Sequence, residues 1–264
     1  MTKTIAVVNQ KGGVGKTTSS INLAKGIASR GKRVLLIDND SQGNSTRTIF
    51  GDDLPDEILS FNEDGWVITG PSNTIQLYLG EDSAAPFVYT NFLSVFGSSK
   101  HLAEISNKDI VEAGFKFKDQ VQGFSEYDYV IIDCLPSFGT MMTSALMVAD
   151  YMFIPTVLDD YSVKGIEHLI ETAMNIKKNL NQDLGVLGIF CNSVDGRDVL
   201  VERHFLEQLK NKFGGLILET QVTQSKKVWE ANALQKSMFE YDPKCAQAKQ
   251  YEALISEILS RMEA

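Results

Sequence analysis

The sequence holds few of the residues that build disulfides and metal centres, and it has more acidic than basic side chains. Its 264 residues include three cysteines, three histidines and two tryptophans, with 34 aspartates and glutamates against 25 lysines and arginines. Cys134, Cys191 and Cys245 have neither paired nor metal-like spacing, so we expect reduced thiols. The net charge of −9 argues against a protein that coats nucleic acid as a monomer, but it leaves room for a local basic patch.

Long hydrophobic runs are also missing. No apolar run approaches the ~18 residues that a membrane-spanning helix needs. The N-terminus leads into a first predicted strand at residue 4 rather than into a signal peptide or a helix-turn-helix module. We therefore expect a cytoplasmic protein without an operator-binding module. The length suits one large α/β domain that spans residues 1–264.

The most informative motif lies at residues 10–18, which read Gln-Lys-Gly-Gly-Val-Gly-Lys-Thr-Thr. The run before it, residues 4–8, is apolar and largely β-branched, which predicts a buried strand. The run after it, residues 19–27, has apolar side chains at helical spacing. This order of strand, glycine-rich loop and helix is the context that a phosphate-binding loop requires.

Each residue type in this loop suits phosphate binding. Glycines allow backbone N–H groups to close around phosphate oxygens, and the helix N-terminus adds a partial positive charge. Lys16 is expected to reach the β- and γ-phosphates of a nucleotide, and the Thr17 hydroxyl is expected to bind Mg²⁺. The predicted nucleotide-binding residues of the loop are Gly12, Gly13, Val14, Gly15, Lys16, Thr17 and Thr18.

A second lysine, Lys11, stands inside the loop. A further cation on the phosphate cradle is surplus in a protein that acts alone, but it is useful if Lys11 reaches the nucleotide of a facing subunit. The stretch KGGVGKTT resembles the deviant Walker A motif of the ParA/MinD family, in which this signature lysine acts across an ATP-sandwiched dimer. The resemblance implies an ATPase that uses ATP and Mg²⁺ and closes as a homodimer.

Two carboxylates follow the second predicted strand, residues 34–37. Asp38 and Asp40 would share one face of a continuing strand, at the edge where open α/β sheets bind ligands. We expect one near Mg²⁺ and the other near the γ-phosphate. The stretch DNDSQGN resembles the family's D-x-D-P-Q-G-N, with Ser41 in place of proline. The resemblance implies that Asp40 positions the attacking water, and Lys11, Lys16 and Asp40 form the predicted catalytic set.

A third carboxylate, Asp133, ends an apolar run that predicts a central strand. A Walker B aspartate at this place would hold Mg²⁺ through water or orient Thr17. The stretch YDYVIIDCLPS is similar to the family's Y-D-x-I-x-I-D-x-P-P-S, with Leu135 in place of the first proline. The predicted metal-binding residues are Thr17, Asp38 and Asp133.

Predicted strands and helices alternate through most of the chain, which indicates a doubly wound, mostly parallel α/β sheet flanked by helices. The resemblance is loose at residues 48–126, where we expect a variable, partly acidic and solvated elaboration. Residues 75–79 alternate like a strand, and residues 216–218 also predict a short strand. In the family, the loop after the strand predicted at residues 184–190 approaches the adenine base, and Asn192 is the best candidate here.

The resemblance also implies a molecular switch. ATP-dependent dimers of the family bind DNA without sequence preference on the nucleoid, and a ParB-like centromere-binding partner stimulates an otherwise slow hydrolysis. Arg197 and Lys227 match basic positions that contact DNA in Soj-like members, and Lys226 adjoins them. Residues 197–236 hold seven lysines and arginines, against five carboxylates, Asp198, Glu202, Glu207, Glu219 and Glu230. A solvated surface is the alternative interpretation of this weakly basic segment.

Three other functions share parts of this pattern. An ATPase that positions a protein cargo has the same nucleotide-binding residues, so the sequence does not separate it from a DNA-partition ATPase. A MinD-like membrane ATPase needs a basic amphipathic C-terminal helix, but residues 246–264 carry only Lys249 and Arg261 as cations. An iron–sulfur ATPase resembling nitrogenase reductase needs a bridging cysteine pair. We favour a DNA-partition ATPase that binds no membrane.

Overall fold

A computed structural model describes residues 1–197 and 199–263 of the chain. Within them the ten β-strands are β1 (Lys3–Val7), β2 (Val34–Asn39), β3 (Leu59–Phe61), β4 (Val67–Thr69), β5 (Phe87–Thr90), β6 (Leu93–Phe96), β7 (Tyr129–Cys134), β8 (Tyr151–Thr156), β9 (Gly185–Val194) and β10 (Val222–Thr223). Eight of them form one sheet in the order β10-β9-β8-β1-β7-β2-β6-β5, and β3 pairs with β4 in a separate hairpin. The main sheet is parallel except at β5, which runs antiparallel to β6.

Helices follow most strands and cover both faces of the sheet. They are α1 (Lys16–Ala28), α2 (Asn44–Phe50), α3 (Ile75–Leu79), α4 (Ile110–Gly123), α5 (Thr140–Val148), α6 (Ser162–Asn179), α7 (Leu200–Phe213), α8 (Lys226–Ala233), α9 (Met238–Tyr241) and α10 (Ala246–Glu263). Two 3₁₀ helices span Lys100–Asn107 and Gly214–Leu216. The predicted fold class, a doubly wound and mostly parallel α/β sheet, is confirmed. None of these helices combines the length and apolar character needed to cross a bilayer, in the part of the chain that the structure describes.

The central strands are buried on both faces, which explains their unbroken apolar runs. In β2, Leu35 and Ile37 enter one core with α4, α5 and α6, whereas Val34 and Leu36 enter the opposite core with α1 and α10. Side chains alternate across a strand, so a strand between two layers of helices needs apolar residues at every position. Polar residues begin only where the strand reaches the carboxyl edge of the sheet.

Strand order brings the predicted site together. β1 lies between β8 and β7, and β7 also pairs with β2. In this register Asp133 of β7 stands beside Val7 of β1 and beside Asp38 of β2. The phosphate-binding loop leaves β1 at the same edge, so three segments far apart in sequence meet where a doubly wound sheet binds its ligand.

The structure corrects three local predictions. Ile75–Leu79 forms helix α3 rather than a strand, because Ile75, Leu77 and Tyr78 are all buried and Asn73 accepts the first free N–H at 3.1 Å. Residues 216–218 form a turn with one bridge, between Ile217 and Ile189. The segment 48–126 is also more than a solvated elaboration, since β6 is fully buried in the main sheet.

Candidate functional site

The phosphate-binding loop wraps closely around the start of α1. Gly13 and Gly15 have φ angles of +74° and +88°, in the left-handed region that favours glycine. A Cβ atom on Gly15 would overlap the side-chain amide of Asn192, so both the backbone conformation and the packing require glycine there. Helix α1 begins directly after the loop, at Lys16, with its N-terminus directed at the site.

Lys16 lies inside the loop rather than on its surface. Its side chain is buried, and its Nζ donates to the backbone carbonyl of Lys11 at 3.1 Å. Burial lowers the pKa of the ammonium, whereas the nearby carboxylate of Asp133 acts in the opposite direction. A buried cation with one neutral acceptor is ready to exchange that acceptor for an anionic ligand.

Lys11 forms an ion pair with Asp159, which lies between β8 and α6 of the same chain. Burial by itself would raise the pKa of the Asp159 carboxyl, but hydrogen bonds from Lys11 and Ser162 outweigh it and lower that pKa. The side chains of Lys11 and Asp159 are 34% and 36% exposed, so water screens the pair. Exposed pairs of this kind contribute only about 0–1 kcal/mol and are easily exchanged.

Asp133 connects the two helices that border the site. One carboxylate oxygen accepts from the hydroxyl of Ser20 in α1 at 3.0 Å, and the other accepts from that of Ser45 in α2 at 2.7 Å. Burial raises the pKa of this carboxyl, although the hydroxyls of Ser45, Thr17 and Ser20 counteract it. Thr17, at the start of α1, is thus one of the three hydroxyl groups that contact Asp133. The roles of Ser20 and Ser45 were not predicted.

Asp38 is fully buried beside Asp133. Its Oδ2 accepts from the backbone N–H and the hydroxyl of Thr46, at 2.7 and 2.6 Å, and its Oδ1 accepts from the N–H of Asp40 at 3.3 Å. Burial and the neighbouring Asp133 raise the pKa of Asp38 to about 8. These bonds place the carboxyl group against α2, behind the loop that leads to Asp40.

Asp40 borders the open part of the site. It lines a cavity of about 340 Å³ at the phosphate-binding loop, together with Gly12, Gly13, Gly15, Lys16, Thr17, Thr18, Asn44, Pro136 and Asn232. One of its oxygens accepts from the N–H of Gln42 at 3.0 Å, which fixes the turn after β2. Most of the predicted catalytic and nucleotide-binding residues therefore surround one space.

Two asparagines at this cavity were missed. Asn44 follows the turn of Gly43, whose φ is +63°, and opens α2. Asn232 lies in α8, and its amide donates to the Thr18 hydroxyl at 3.1 Å. The family-like stretch around Asp40 includes Asn44 and was a usable signal. No sequence signal marked Asn232, because α8 reaches the phosphate-binding loop only in the folded chain.

A buried network below the site ties it to the variable segment. The Tyr78 hydroxyl donates to the Asn39 side chain at 2.8 Å, and the amide of Asn39 donates to the Met141 carbonyl at 2.9 Å. The Thr74 hydroxyl donates to the carbonyl of Asp38 at 2.9 Å. Residues 73–79 thus support the strand end that carries both predicted carboxylates.

Asn192 occupies a different setting from the one expected. Strand β9 continues to Val194, so Asn192 lies within the strand, paired with Val222, rather than in the loop beyond it. Its side chain is buried, and its amide donates to the carbonyl of Val14 at 2.9 Å. The contact that the structure records is thus with the phosphate-binding loop, whose shape Asn192 supports.

The three predicted DNA-binding cations lie near one edge of the sheet. Arg197 follows β9, and Lys226 and Lys227 begin α8, which follows the neighbouring strand β10. All three are exposed, but Arg197 makes a bidentate contact with Asp195, and Lys227 Nζ lies 2.6 Å from Asp242. Arg197 lowers the pKa of Asp195 to about 2. Asp198, counted in the charge balance of this segment, lies outside the described residues.

Sequence comparison agrees with this geometry. A family model described as "AAA domain" (AAA_31) matches residues 2–186. The chain is 32% identical to the chromosome partitioning protein ParA of Myxococcus xanthus over 265 residues, which cover 97% of this chain and 88% of the other. It is 30% identical to the sporulation initiation inhibitor protein Soj of Bacillus subtilis, over 98% of both chains. The chain belongs to the ParA/Soj family of P-loop ATPases with a deviant Walker A motif.

Solved structures show the same fold. McdA from Cyanothece superimposes with a TM-score of 0.82 at 19% identity, over 98% of this chain and all of the other. Cobyrinic acid a,c-diamide synthase from Mycobacterium smegmatis, solved with ADP and magnesium, gives a TM-score of 0.79 at 24% identity, over 100% of this chain and 96% of the other. At these identities the likeness concerns the fold alone.

The residues at the loop suit a nucleotide and magnesium. The left-handed glycines and the start of α1 present backbone N–H groups to a phosphate, and Lys16 supplies a cation. Thr17 and Asp133 offer oxygen atoms only, the ligand type that Mg²⁺ prefers. No group of three or more histidine, cysteine or acidic side chains forms a closed metal cage within the described residues.

Proposed function

We propose that this chain is an ATP-dependent partition ATPase that acts on DNA. The observation that carries the proposal is a cavity at the phosphate-binding loop that Lys16, Thr17 and Asp40 line together, with Asp133 behind it. A cation, a hydroxyl that can bind a metal ion and a carboxylate around one cavity are the parts of a phosphoryl-transfer site. The family relationship to ParA and Soj supports the same proposal.

Each residue has a distinct task in the proposed reaction. ATP with Mg²⁺ supplies the transferable phosphoryl group and the divalent charge that neutralises it. Lys16 would bind the phosphates, Thr17 and Asp133 would hold the magnesium ion, and Asp38 is a buried second carboxylate beside Asp133. Asp40 orients the water that attacks, because it is the carboxylate at the open side of the cavity.

Lys11 completes the site of a second subunit in this proposal. In the single chain its ammonium is held by Asp159, and that exposed pair is weak enough to exchange for a phosphate across a dimer interface. Helix α8 offers apolar surface beside the loop, since Trp229 and Leu234 are 73% and 58% exposed while Asn232 contacts Thr18. We infer a homodimer that forms over ATP and hydrolyses it slowly alone.

The proposed partners are DNA of any sequence and a ParB-like centromere-binding protein. Arg197, Lys226 and Lys227 supply cations near the ends of two adjacent strands, which suits contact with a phosphate backbone. Hydrolysis, stimulated by the partner, opens the dimer and releases DNA. In this scheme the ATP-bound form associates with the nucleoid in the cytoplasm.

The decisive experiment measures binding to DNA of arbitrary sequence with ATP, with ADP and without nucleotide. We expect binding with ATP alone, and Lys16→Ala should abolish it because the variant no longer holds the phosphates. Liposomes serve as the parallel ligand and should not be bound. DNA binding that ignores the nucleotide would contradict the switch, and absence of DNA binding in every state would contradict the function.

A further inference from the structure

Charge is distributed very unevenly along the chain. Residues 48–99 contain eight carboxylates and no lysine, arginine or histidine, whereas the rest of the chain contains 26 carboxylates and 25 lysines and arginines. This acidic segment therefore holds a net charge of −8 out of −9. All eight carboxylates are exposed: Asp52, Asp53, Asp56, Glu57, Glu63, Asp64, Glu81 and Asp82.

The acidic segment also exposes large apolar side chains, and the two most exposed are at the hairpin of β3 and β4. The hairpin of β3 and β4 has Phe61 and Trp66 at its turn end, 69% and 73% exposed, and Ile68 is 45% exposed. Trp66 directly precedes β4 and stands two residues before Ile68, so the two side chains share one face of the hairpin. Phe61 belongs to the opposite face, since it lines a cavity with Leu59 and Val67. We call residues 61–66 the hairpin tip.

The hairpin tip is held rigidly in spite of its exposure. The Asn62 side chain accepts from the N–H groups of Asp64 and Trp66, at 3.1 and 2.8 Å. The Asn62 backbone exchanges further bonds with Trp66 and Gly65, each of 2.9 Å, and Gly65 takes the positive φ of +78° that the turn needs. The backbone is thus ordered before any partner arrives, which lowers the entropy cost of binding.

We propose that the hairpin tip binds a lysine- or arginine-bearing, partly apolar segment of a partner protein. Trp66 is the aromatic anchor, because exposed tryptophan is enriched among the residues that dominate protein interfaces and its ring face attracts ammonium and guanidinium groups. Glu63 and Asp64 precede Trp66 in the turn and add opposite charge for the same cations. No residue of the hairpin tip lines the cavity at the phosphate-binding loop.

The charge pattern disfavours two other occupants. DNA is repelled by a segment with eight carboxylates and no cations. A second copy of this chain that brought its own hairpin to this surface would bring an identical acidic segment, and the like charges would repel. A cationic polypeptide is the partner that gains from both the aromatic side chains and the carboxylates.

The test uses the whole protein without nucleotide and a fluorescein-labelled, amidated peptide of alternating lysine and leucine, followed by anisotropy. Trp66→Ala should weaken binding by about tenfold, as truncation of an aromatic anchor does. The double variant Glu63→Gln/Asp64→Asn should weaken it severalfold. The matched control, Glu81→Gln/Asp82→Asn, removes the same charge from the same segment outside the hairpin tip and should keep the affinity within about twofold.

A second measurement tests whether the peptide binds at the hairpin tip. In Trp229→Phe, Trp66 is the only tryptophan, and its emission should shift to shorter wavelength when the peptide binds. Equal weakening by both double variants, an unchanged Trp66 emission, or equal binding of a glutamate–leucine peptide would overturn the proposal. So would loss of self-association or of DNA binding in Trp66→Ala, which would assign the surface to those ligands. Because no ATP is used, failure here is distinguishable from failure of the proposed ATPase switch.

Discussion

At the scale of single residues, Asp159 holds Lys11 in an ion pair within its own chain, whereas the proposed dimer needs Lys11 at the nucleotide of the other subunit. Asp159→Asn removes the charge that holds Lys11 in the single chain. We expect ATP-dependent dimerisation, measured by sedimentation, to strengthen by up to about thirtyfold, since each of the two subunits gives up one exposed pair worth only about 0–1 kcal/mol. Lys11→Ala is the control and should prevent dimerisation. If Asp159→Asn also prevents it, Asp159 is needed within the dimer.

Asp38 makes the stability of the protein depend on pH. Its folded-state pKa of about 8 exceeds the ordinary value of 3.8, so the folded chain retains a proton that the unfolded chain loses. The free energy of unfolding should therefore fall as pH rises from about 4 to about 8 and level off above that. Thermal unfolding between pH 5 and pH 8, with a chelator and no nucleotide, should show a midpoint lower by several degrees at the higher pH.

Asp38→Asn isolates this effect. The asparagine keeps an oxygen for the N–H of Thr46 but does not titrate. The pH dependence should become flatter than in the wild type. Identical slopes in the two proteins would mean that another group controls the dependence.

At the scale of elements, the root of the β3–β4 hairpin depends on close backbone packing. A Cβ atom on Gly70 would overlap the carbonyl oxygens of Asp56 and Glu57, and backbone atoms do not move aside cheaply. Gly70→Ala should cost roughly 1–3 kcal/mol and lower the unfolding midpoint by several degrees. Gly65→Ala is the matched control: it meets nothing within 4 Å, so only its positive φ opposes it, at a cost of about 1 kcal/mol. Equal midpoints for the two variants would contradict the packing argument.

Elements that are determined by neighbouring residues in the sequence were predicted well. Elements that depend on contacts between distant segments were not. The loop at residues 10–18 and the strand ends at Asp38 and Asp133 follow from short apolar runs with fixed neighbours in sequence. Helix α3 was missed because a run of only five residues fits both the periodicity of a strand and that of a helix. The contact that favours the helix, between the buried Tyr78 and Asn39, is distant in sequence. Asn232 and Ser45 were missed for the same reason, since nothing near them in sequence marks their partners.

At the scale of the whole molecule, the cations proposed to bind DNA are already partly neutralised. Lys227→Ala should weaken binding to any DNA sequence and reduce the slope of log affinity against log salt by about one. Asp242→Asn should do the reverse, because it releases Lys227 from its ion pair. Affinities measured across a salt series with ATP test both variants. Unchanged affinity and slope in Lys227→Ala would remove Lys227 from the DNA-binding surface.

The order of the strands places the acidic segment and the proposed DNA-binding cations at opposite edges of the sheet. The acidic segment supplies β5 and β6 at one edge of the sheet, and Arg197, Lys226 and Lys227 follow β9 and β10 at the other, about 34 Å away across seven strand spacings. The monomer is therefore a permanent electric dipole. Near a polyanion the field exerts a torque that turns the β9–β10 end inward and the hairpin tip outward. A chain docked on nucleic acid then presents its aromatic tip to solution, where a third molecule has free access to it.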